Sequence, residues 1–486
     1  MLKVKRRSRG AGLYLITLLG CLSIIFSVQT PGYAQDGIDW VFQTVDSAGD
    51  VGMHTSLAFG SGPAISYYDW SDSALKLAYD RNYDGDFADA GEITTVDRIE
   101  SVGSHTSAAF GTGPAISYHE GTNLDLKLAN DRNNDGDFTD ADEITTVDSA
   151  GYVGAHTSLA IGSGPAISYY DIANGDLKLA YDRNDNGYYQ GPGEIITVDS
   201  DGYVGEYTSL AFGSGPAISY YDWSNGDLKL AYDRNNDGDF TDTDEIITVD
   251  SDGDVGMYTS LAFGTGPAIS YYDMTNGDLK LAYDRNNNGD FTDTGEIITV
   301  DSTGDVGMHT SLAFGSGPAI SYYDKTNGNL KLAWDMNDNG DFTDTGEIII
   351  VDSAGDVGEY TSLAFDTSGG PAISYYDASN GDLKLASSSP PPPPTPLPSH
   401  TWTFSAAGFF PKHLPDSYNG EVVLADLDPA AIPAQVQGVW WWDDADLEWK
   451  LWVPGVGGVL TTLGGGHTYD YMVLVTGACD WEIPLP

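Results

Sequence analysis

Cysteine is almost missing from this chain, which has two cysteines among 486 residues. Cys21 lies in an apolar N-terminal stretch with the marks of an export signal, so removal of that stretch leaves only Cys479. A single cysteine forms no intrachain disulfide. Stability must therefore come from a packed core, with bound metal as the other candidate source.

Positive charge is also scarce. The chain has 21 Lys and Arg against 72 Asp and Glu, a formal net charge of −51. Nucleic acids and anionic membrane surfaces are repelled by such a charge, so neither is an expected partner. The carboxylates need counterions, and divalent cations are plentiful outside cells.

Residues 1–34 have the pattern of a signal peptide. Five basic residues between Lys3 and Arg9 precede an apolar run from Ala11 to Val28, and small residues around Ala34 suit a signal peptidase. The pattern predicts a protein that is secreted or held at the cell surface. Two alternatives stay open, an uncleaved membrane anchor and a lipid on Cys21. The apolar run continues past Cys21, which argues against the lipid.

The central region shows no helical periodicity and instead repeats a unit of 51 residues. Each copy has four short runs of strand character, separated by Gly-rich or Asn-Gly turns. Four strands in a period near fifty are typical of a β-propeller blade. The sequence therefore predicts an all-β fold with a seven-bladed β-propeller over residues 35–386. The copies are marked by the Thr-Ser pairs that begin at Thr55, Thr106, Thr157, Thr208, Thr259, Thr310 and Thr361.

The two ends of the repeat region complete one another. The seventh copy stops after Leu383-Lys-Leu-Ala386 and lacks its fourth run, whereas residues 40–46, ahead of the first copy, match that run. The N-terminal segment is thus predicted to complete the seventh blade and close the ring, which removes an exposed sheet edge. An open β-solenoid is the alternative.

The composition changes after the repeats. Residues 387–399 form a Ser/Pro-rich linker with polyproline II character. Residues 400–486 contain seven of the 11 tryptophans and are predicted to form a small all-β domain. Their pattern at 439–443, 449–452 and 460–463 resembles C-terminal modules of exported bacterial proteins, which implies no particular activity.

A carboxylate-rich loop joins the third and fourth predicted strands of six blades. In the first copy Asp80, Asn82 and Asp84 occupy positions one, three and five, and Gly85 occupies position six. Alternating side chains around a tight glycine turn converge on one point, and Ca²⁺ takes six to eight oxygen ligands. We therefore expect up to six weak, structural calcium sites. The alternative is that Asp, Asn and Gly serve only as turn formers.

These six acidic loops (80–92, 131–143, 182–194, 233–245, 284–296 and 335–347) resemble the calcium loops of EF hands, dockerins, thrombospondin type 3 repeats and integrin α propellers. The chain as a whole resembles exported bacterial seven-bladed propeller repeat proteins with such loops. The last acid stands at position thirteen rather than the EF-hand twelve, so its part as a bidentate ligand is open. The third loop is degenerate, because Tyr188 and Gly191 replace acids. The candidate ligands are Asp80, Asn82, Asp84, Asp86, Asp89 and Glu92; Asp131, Asn133, Asp135, Asp137, Asp140 and Glu143; Asp182, Asn184, Asn186 and Glu194; Asp233, Asn235, Asp237, Asp239, Asp242 and Glu245; Asp284, Asn286, Asn288, Asp290, Asp293 and Glu296; and Asp335, Asn337, Asn339, Asp341, Asp344 and Glu347.

One His or Tyr per repeat precedes the predicted innermost strand and would ring the mouth of the central channel, on the face opposite the acidic loops. These residues either bind a polar ligand or a soft metal, or they pack between blades. Trp441 is a further candidate, because an exposed tryptophan can stack on a sugar. The ring candidates are His54, His105, His156, Tyr207, Tyr258, His309 and Tyr360.

The near-identical blades favour a non-catalytic binding or adhesion protein for an extracellular glycan or protein, with a monomeric propeller and membrane contact only through an anchor. A propeller lyase or hydrolase is the alternative, and a structural surface or matrix protein is the third hypothesis. His119 and Glu120, which replace Tyr-Asp in blade two, are the candidate acid–base pair. A sialidase is excluded, because it needs three arginines at the channel and Arg98 alone lies outside the acidic loops after the leader.

Overall fold

The computed structural model describes residues 38–82, 84–99 and 102–388, together with strands between Ser399 and Pro484. The predicted signal peptide and most of the predicted linker lie outside the described residues. The chain divides into two compact units, the repeat region and the C-terminal strands, and each is described by itself. Among the described residues, no helix has the length and apolar character needed to cross a membrane.

The repeat region is built from 28 short strands. The first is β1, Trp40–Asp46. Blades one to three contain β2 Val51–Phe59, β3 Pro63–Asp69, β4 Ala74–Tyr79, β5 Ile93–Asp97, β6 Val102–Phe110, β7 Pro114–Glu120, β8 Asp125–Asn130, β9 Ile144–Asp148, β10 Val153–Ile161, β11 Pro165–Asp171, β12 Asp176–Tyr181 and β13 Ile195–Asp199. Blades four to seven contain β14 Val204–Phe212, β15 Pro216–Asp222, β16 Asp227–Tyr232, β17 Ile246–Asp250, β18 Val255–Phe263, β19 Pro267–Asp273, β20 Asp278–Tyr283, β21 Ile297–Asp301, β22 Val306–Phe314, β23 Pro318–Asp324, β24 Asn329–Trp334, β25 Ile348–Asp352, β26 Val357–Phe365, β27 Pro371–Asp377 and β28 Asp382–Ser388.

Each blade is a four-stranded antiparallel sheet in sequence order, and the first strands of successive blades contact one another around the centre. The seventh sheet has the order β1-β28-β27-β26. The N-terminal strand therefore closes the ring as predicted. The protein is a seven-bladed β-propeller.

The core lies between neighbouring blades rather than within one. The cluster between blades three and four combines Leu177, Leu179 and Val198 of one blade with Ile218 and Tyr220 of the next. A blade buries both faces of its sheet, so its second strand is buried at every position instead of alternating. The stack of sheets is thus stabilised mainly by apolar area at each junction.

Close approach at the junctions explains a repeated glycine. Gly205, the second residue of β14, has a φ of +109°, and the equivalent glycines of the other six blades have φ between +88° and +108°. A Cβ built there would lie 2.9 Å from Cα of Leu177 in the preceding blade. Only glycine fits this contact, and Gly52 makes it with Leu383 across the closure between blades seven and one.

The C-terminal strands form three small antiparallel sheets. A five-stranded sheet has the order β30-β36-β32-β33-β34, and two pairs are β29-β37 and β31-β35. The strands are β29 Ser399–Phe404, β30 Gly408–Lys412, β31 Glu421–Val423, β32 Val436–Asp443, β33 Glu448–Val453, β34 Gly457–Gly458, β35 Thr462–Gly464, β36 Tyr471–Val475 and β37 Cys479–Pro484. The described residues of this region are all in strands.

Candidate metal loops and channel ring

The acidic loops and the turns between the first two strands share one face of the propeller, here called the loop face. In blade one the amide of Asp80 donates to the carbonyl of Pro63 at 3.1 Å, and Ser61 Oγ donates to the carbonyl of Arg81 at 3.1 Å. The opposite face, here called the connection face, carries the connections between blades and the turns between second and third strands. The predicted division between the two faces is confirmed by these contacts.

Each acidic loop is folded around its first carboxylate. Asp80 is buried, and its two oxygens accept hydrogen bonds from the amides of Asp84 at 3.2 Å and Gly85 at 3.1 Å. Asn82 Nδ2 donates to carboxylate oxygens of Asp84 and Asp89, both at 2.9 Å. Positions one, three, five and ten therefore surround a common point, as the alternating pattern predicts.

At two of these points the structure forms an acidic triad in which the first and last carboxylates are buried and the middle one is exposed. Oxygens of Asp80, Asp84 and Glu92 lie within 4.8 Å of one another, and Asp131, Asp135 and Glu143 form the same group. Such triads could hold a metal ion. The glutamate at position thirteen thus reaches the cluster despite its shifted place. One of its oxygens also accepts from the loop backbone, as in the 2.9 Å bond from the Asp89 amide to Glu92.

The glutamates at position thirteen are buried beside other carboxylates, where a cation would stabilise their charge. Burial, followed by the nearby acids, raises the pKa of Glu92, Glu143, Glu245, Glu296 and Glu347. In the sixth loop Glu347 is 4% exposed, and its Oε1 has no hydrogen-bond partner among the described residues. A buried carboxylate oxygen without a donor is costly, and a bound cation would supply the missing partner.

The third loop differs in the way its sequence indicates. Asn184 Nδ2 donates to Glu194 Oε1 at 2.8 Å, and the amide of Gly191 donates to Glu194 Oε2. Both oxygens of this glutamate are thus engaged by protein donors. Tyr188, in place of an acid, is exposed.

The seven ring candidates do come together around the channel. Neighbouring rings have centroids 4.5 to 4.8 Å apart, from His54–His105 around to His54–Tyr360. With seven threonines they line a cavity of about 190 Å³. The same seven side chains therefore both pack between blades and line the channel. The cavity is smaller than the roughly 300–1,000 Å³ of typical ligand pockets.

The ring residues lie within the innermost strands, not before them. His54 is the fourth residue of β2, at a bulge in its pairing with β3. All seven have φ between 51 and 54°, the left-handed region that bulky residues seldom adopt. The predicted strand was too short because this bulge interrupts the alternation, and the bulge directs the rings to the channel.

The ring carries no charge near neutral pH. Burial, reinforced by the other histidines, lowers the pKa of His54 and His105 to about 3, and burial lowers that of His309 to about 4. The pKa of His156 is lowered well below its ordinary value for the same reason. Neutral imidazoles cannot attract an anion by charge.

The candidate acid–base pair in blade two, His119 and Glu120, lies at a turn that the glutamate stabilises. Glu120 is buried and accepts from the amides of Thr122 at 2.7 Å and Asn123 at 2.8 Å. This is the capping role that Asp222 plays in blade four. His119 stacks on Tyr152 with centroids 5.3 Å apart, and Ser104 Oγ lies 3.3 Å from its Nδ1. The carboxylate is occupied by the backbone, so this arrangement does not support proton transfer.

An exposed apolar patch on the connection face was missed by the sequence reasoning. It consists of Tyr152, Ile172, Tyr203, Trp223 and Met274 in blades three to five, and we call it the apolar arc. The amide of Trp223 donates to the carbonyl of Tyr203 at 2.9 Å, and Ile172 and Tyr152 are joined in the same way. Blades five to seven and one place Asp254, Asp305, Asp356 and Asp50 where blades three and four have tyrosine. Comparing the least similar positions of the repeats would have revealed the arc.

Trp441 lies on β32, opposite Lys450 of β33. Its side chain is outside what the structure describes, so its part in sugar stacking stays a prediction.

No protein-family model matches the chain, and no curated protein matches it. Among solved structures, a streptogramin B lyase is similar with a TM-score of 0.48 and 10% identity, covering 71% of this chain and 97% of that chain. A virginiamycin B lyase from Staphylococcus aureus has a TM-score of 0.46 and 11% identity, with coverages of 72% and 99%. A calcium-binding regucalcin from Agrobacterium tumefaciens has a TM-score of 0.29 and 12% identity, with coverages of 46% and 70%. These likenesses concern the fold alone.

Proposed function

We propose that this protein is an exported, calcium-stabilised β-propeller that binds a neutral glycan without catalysis, on its connection face. The observation that carries the proposal is the apolar arc. The aromatic side chains there are exposed, 60% for Tyr203 and 59% for Trp223, whereas the tyrosines of the second strands, such as Tyr220, are fully buried between blades.

The arc has the chemistry of a sugar platform. Flat aromatic rings stack on the apolar faces of sugar rings, and neighbouring carboxylates accept hydrogen bonds from hydroxyl groups. The Trp223 ring is held edge-on by Tyr221 at 6.2 Å, and Tyr221 in turn donates to Asp254 at 2.6 Å. A net charge of −51 disfavours acidic polysaccharides. A neutral glycan is therefore the partner that suits this surface best.

Calcium has a structural part in the proposal. The acidic loops lie on the loop face, away from the arc, so a cation there stabilises the blades rather than contacting the ligand. The triads and the unpartnered oxygen of Glu347 support cation binding. Oxygen-only donors around a flexible loop favour Ca²⁺ over softer metals.

A glycan array, followed by calorimetry on the best hit, tests the proposal. Trp223→Ala and Tyr203→Ala should each weaken binding at least tenfold, because stacking area is lost. Trp70→Ala is the matched control, since Trp70 is 60% exposed on the same face but lies in blade one, outside the arc. An array without hits, or equal losses in Trp70→Ala and Trp223→Ala, would contradict the assignment to the arc.

A further inference from the structure

The arginine at the second position of an acidic loop does not serve its own loop. Arg81 Nη2 lies 3.3 Å from Oδ2 of Asp131, the buried first carboxylate of the next blade's loop. The same contact joins Arg285 to Asp335 at 3.3 Å, and longer contacts join Arg132 to Asp182 and Arg183 to Asp233 at 3.8 and 3.9 Å. These four contacts therefore all run in one direction around the ring, from one loop to the next.

A second contact fixes the guanidinium on the next loop. Arg285 Nη1 lies 2.8 Å from Oδ1 of Asp338, the residue at position four, and Arg132 Nη2 lies 3.2 Å from Asp185 at the equivalent place. Arg183 donates to Asn236 at 3.2 Å. The guanidinium also packs on the sixth-position glycine, since a Cβ on Gly289 would lie 3.3 Å from Arg234 Nη2. Behind it, the ring of Tyr283 lies 4.6 Å from Arg285 Cζ.

The loop sequences depart from the repeat at the two loops where the arginine contact has no partner loop. The sixth loop, which no seventh loop follows, has Met336 at position two in place of arginine. The first loop, which no loop precedes, has Tyr83 at position four, where the other five have Asn or Asp. Both exceptions fall at the two ends of the series. Residues that served only their own loop would have no reason to change there.

We propose that each of these arginines is a positioning residue that stands in for a cation on the next blade's loop. The guanidinium compensates the buried first carboxylate and holds position four, so the loop keeps its binding shape when no metal is present. A charge-assisted contact with a buried carboxylate is among the stronger polar interactions. The state of one loop is thereby set by the blade before it. The cation-replacing part of this inference rests on the calcium role proposed above, whereas the contact between blades does not.

Arg285→Met tests the inference, because it gives the fifth loop the residue that the sixth already has. Arg98→Met is the matched control, since Arg98 forms an exposed ion pair with Asp72 outside the loops. In chelator, Arg285→Met should lower the melting temperature by about 2–4 °C relative to Arg98→Met. In millimolar calcium the deficit should shrink to less than half, since the ion then neutralises Asp335.

Each outcome decides one part of the inference. Equal melting of the two variants in chelator would overturn the contact between blades. A deficit of the same size with and without calcium would overturn the replacement of a cation by the guanidinium. If calcium leaves the parent protein's melting unchanged, the calcium role fails, whereas a deficit in chelator would still establish the contact. Arg285→Lys should restore only part of the stability, because the ammonium group lacks the fork that spans Asp335 and Asp338.

Discussion

Tyr67 Oη donates a 2.7 Å hydrogen bond to Oδ2 of Asp46, and this bond ties the first blade to the N-terminal strand that completes the seventh. Lys76 Nζ lies 2.8 Å from the same oxygen. Equivalent Asp–Tyr–Lys groups stand at the other junctions, such as Asp199 with Tyr220 and Lys229. Closure of the ring therefore uses the contact that joins every other pair of blades.

Asp46→Ala should destabilise the propeller by about 1–3 kcal/mol, because it leaves the buried Tyr67 hydroxyl without its acceptor and removes one of the two carboxylates beside Lys76, the other being Asp69 at 3.2 Å. Asp148→Ala removes the same group between blades two and three, where Lys178 also keeps a second carboxylate, Asp171 at 3.9 Å, and should cost a similar amount. Urea unfolding of the two variants measures this. A much smaller loss for Asp46→Ala would show that the N-terminal strand is not bonded as part of the ring.

The histidine ring should make stability fall with acidification before the carboxylates titrate. An unfolded histidine gains its proton near pH 6.5, whereas His54 and His105 in the fold resist it until about pH 3, and His309 until about pH 4. The unfolded state therefore binds more protons between these limits, and each histidine costs about 1.4 kcal/mol per pH unit below 6.5.

Replacing all four ring histidines by tyrosine, the residue of blades four, five and seven, should flatten the loss of stability between pH 6.5 and 4.5. The Asp–Tyr–Lys groups affect stability at lower pH than the histidines do. Their lysine and tyrosine partners outweigh burial and lower the pKa of Asp46 and Asp199, so their stabilisation is lost only as the pH falls below about 4. Urea unfolding at half-unit steps of pH separates the two effects. Equal slopes in the parent and the tyrosine variant would contradict the assignment to the ring.

The architecture could be predicted from the sequence because it is periodic. Strand count, blade count and closure by residues 40–46 follow from the 51-residue spacing and from the run missing after Leu383. Contacts between blades could not be predicted in this way. A repeat period states what recurs, but not that Arg285 reaches Asp335, about one period away, or that Asp199 bonds Tyr220.

The site was predictable only in its composition. The alternating oxygens of the acidic loops indicated a common centre, and the structure brings Asp80, Asp84 and Glu92 together. The ring residues were identified, but their left-handed backbone was not, because the interrupted alternation at the bulge looks like the start of a shorter strand. Tyr203 and Trp223 were overlooked because attention to the consensus hides the positions that depart from it.

Calcium should raise the melting temperature of the parent protein. The substitution Glu347→Gln should raise the stability in chelator and lower it in calcium. In chelator the charged Glu347 is disfavoured by burial and by Asp344, Asp335 and Asp341, so removing its charge should stabilise the protein. With calcium at 100 times the dissociation constant, one site contributes about 2.7 kcal/mol. The variant should lose much of that contribution.

Differential scanning calorimetry in chelator and in calcium measures both effects. Asp201→Asn is the control for loss of one exposed negative charge outside the loops. A parent protein with the same midpoint in both buffers would exclude a stabilising calcium site. Glu347→Gln that matches Asp201→Asn in both buffers would exclude Glu347 as a ligand.

His119→Phe should stabilise the protein by about 1 kcal/mol, because Nε2 of His119 is buried without a hydrogen-bond partner among the described residues. Phenylalanine keeps the stack on Tyr152 and gives up only the long contact to Ser104.

Tyr221→Phe is the matched variant in blade four. It should destabilise the protein by about 1 kcal/mol or more, since it removes the 2.6 Å bond to Asp254. Opposite signs at equivalent positions would show that blade two carries a departure from the repeat that costs stability. A loss of stability in His119→Phe would instead show that the imidazole has a polar partner that the fold needs.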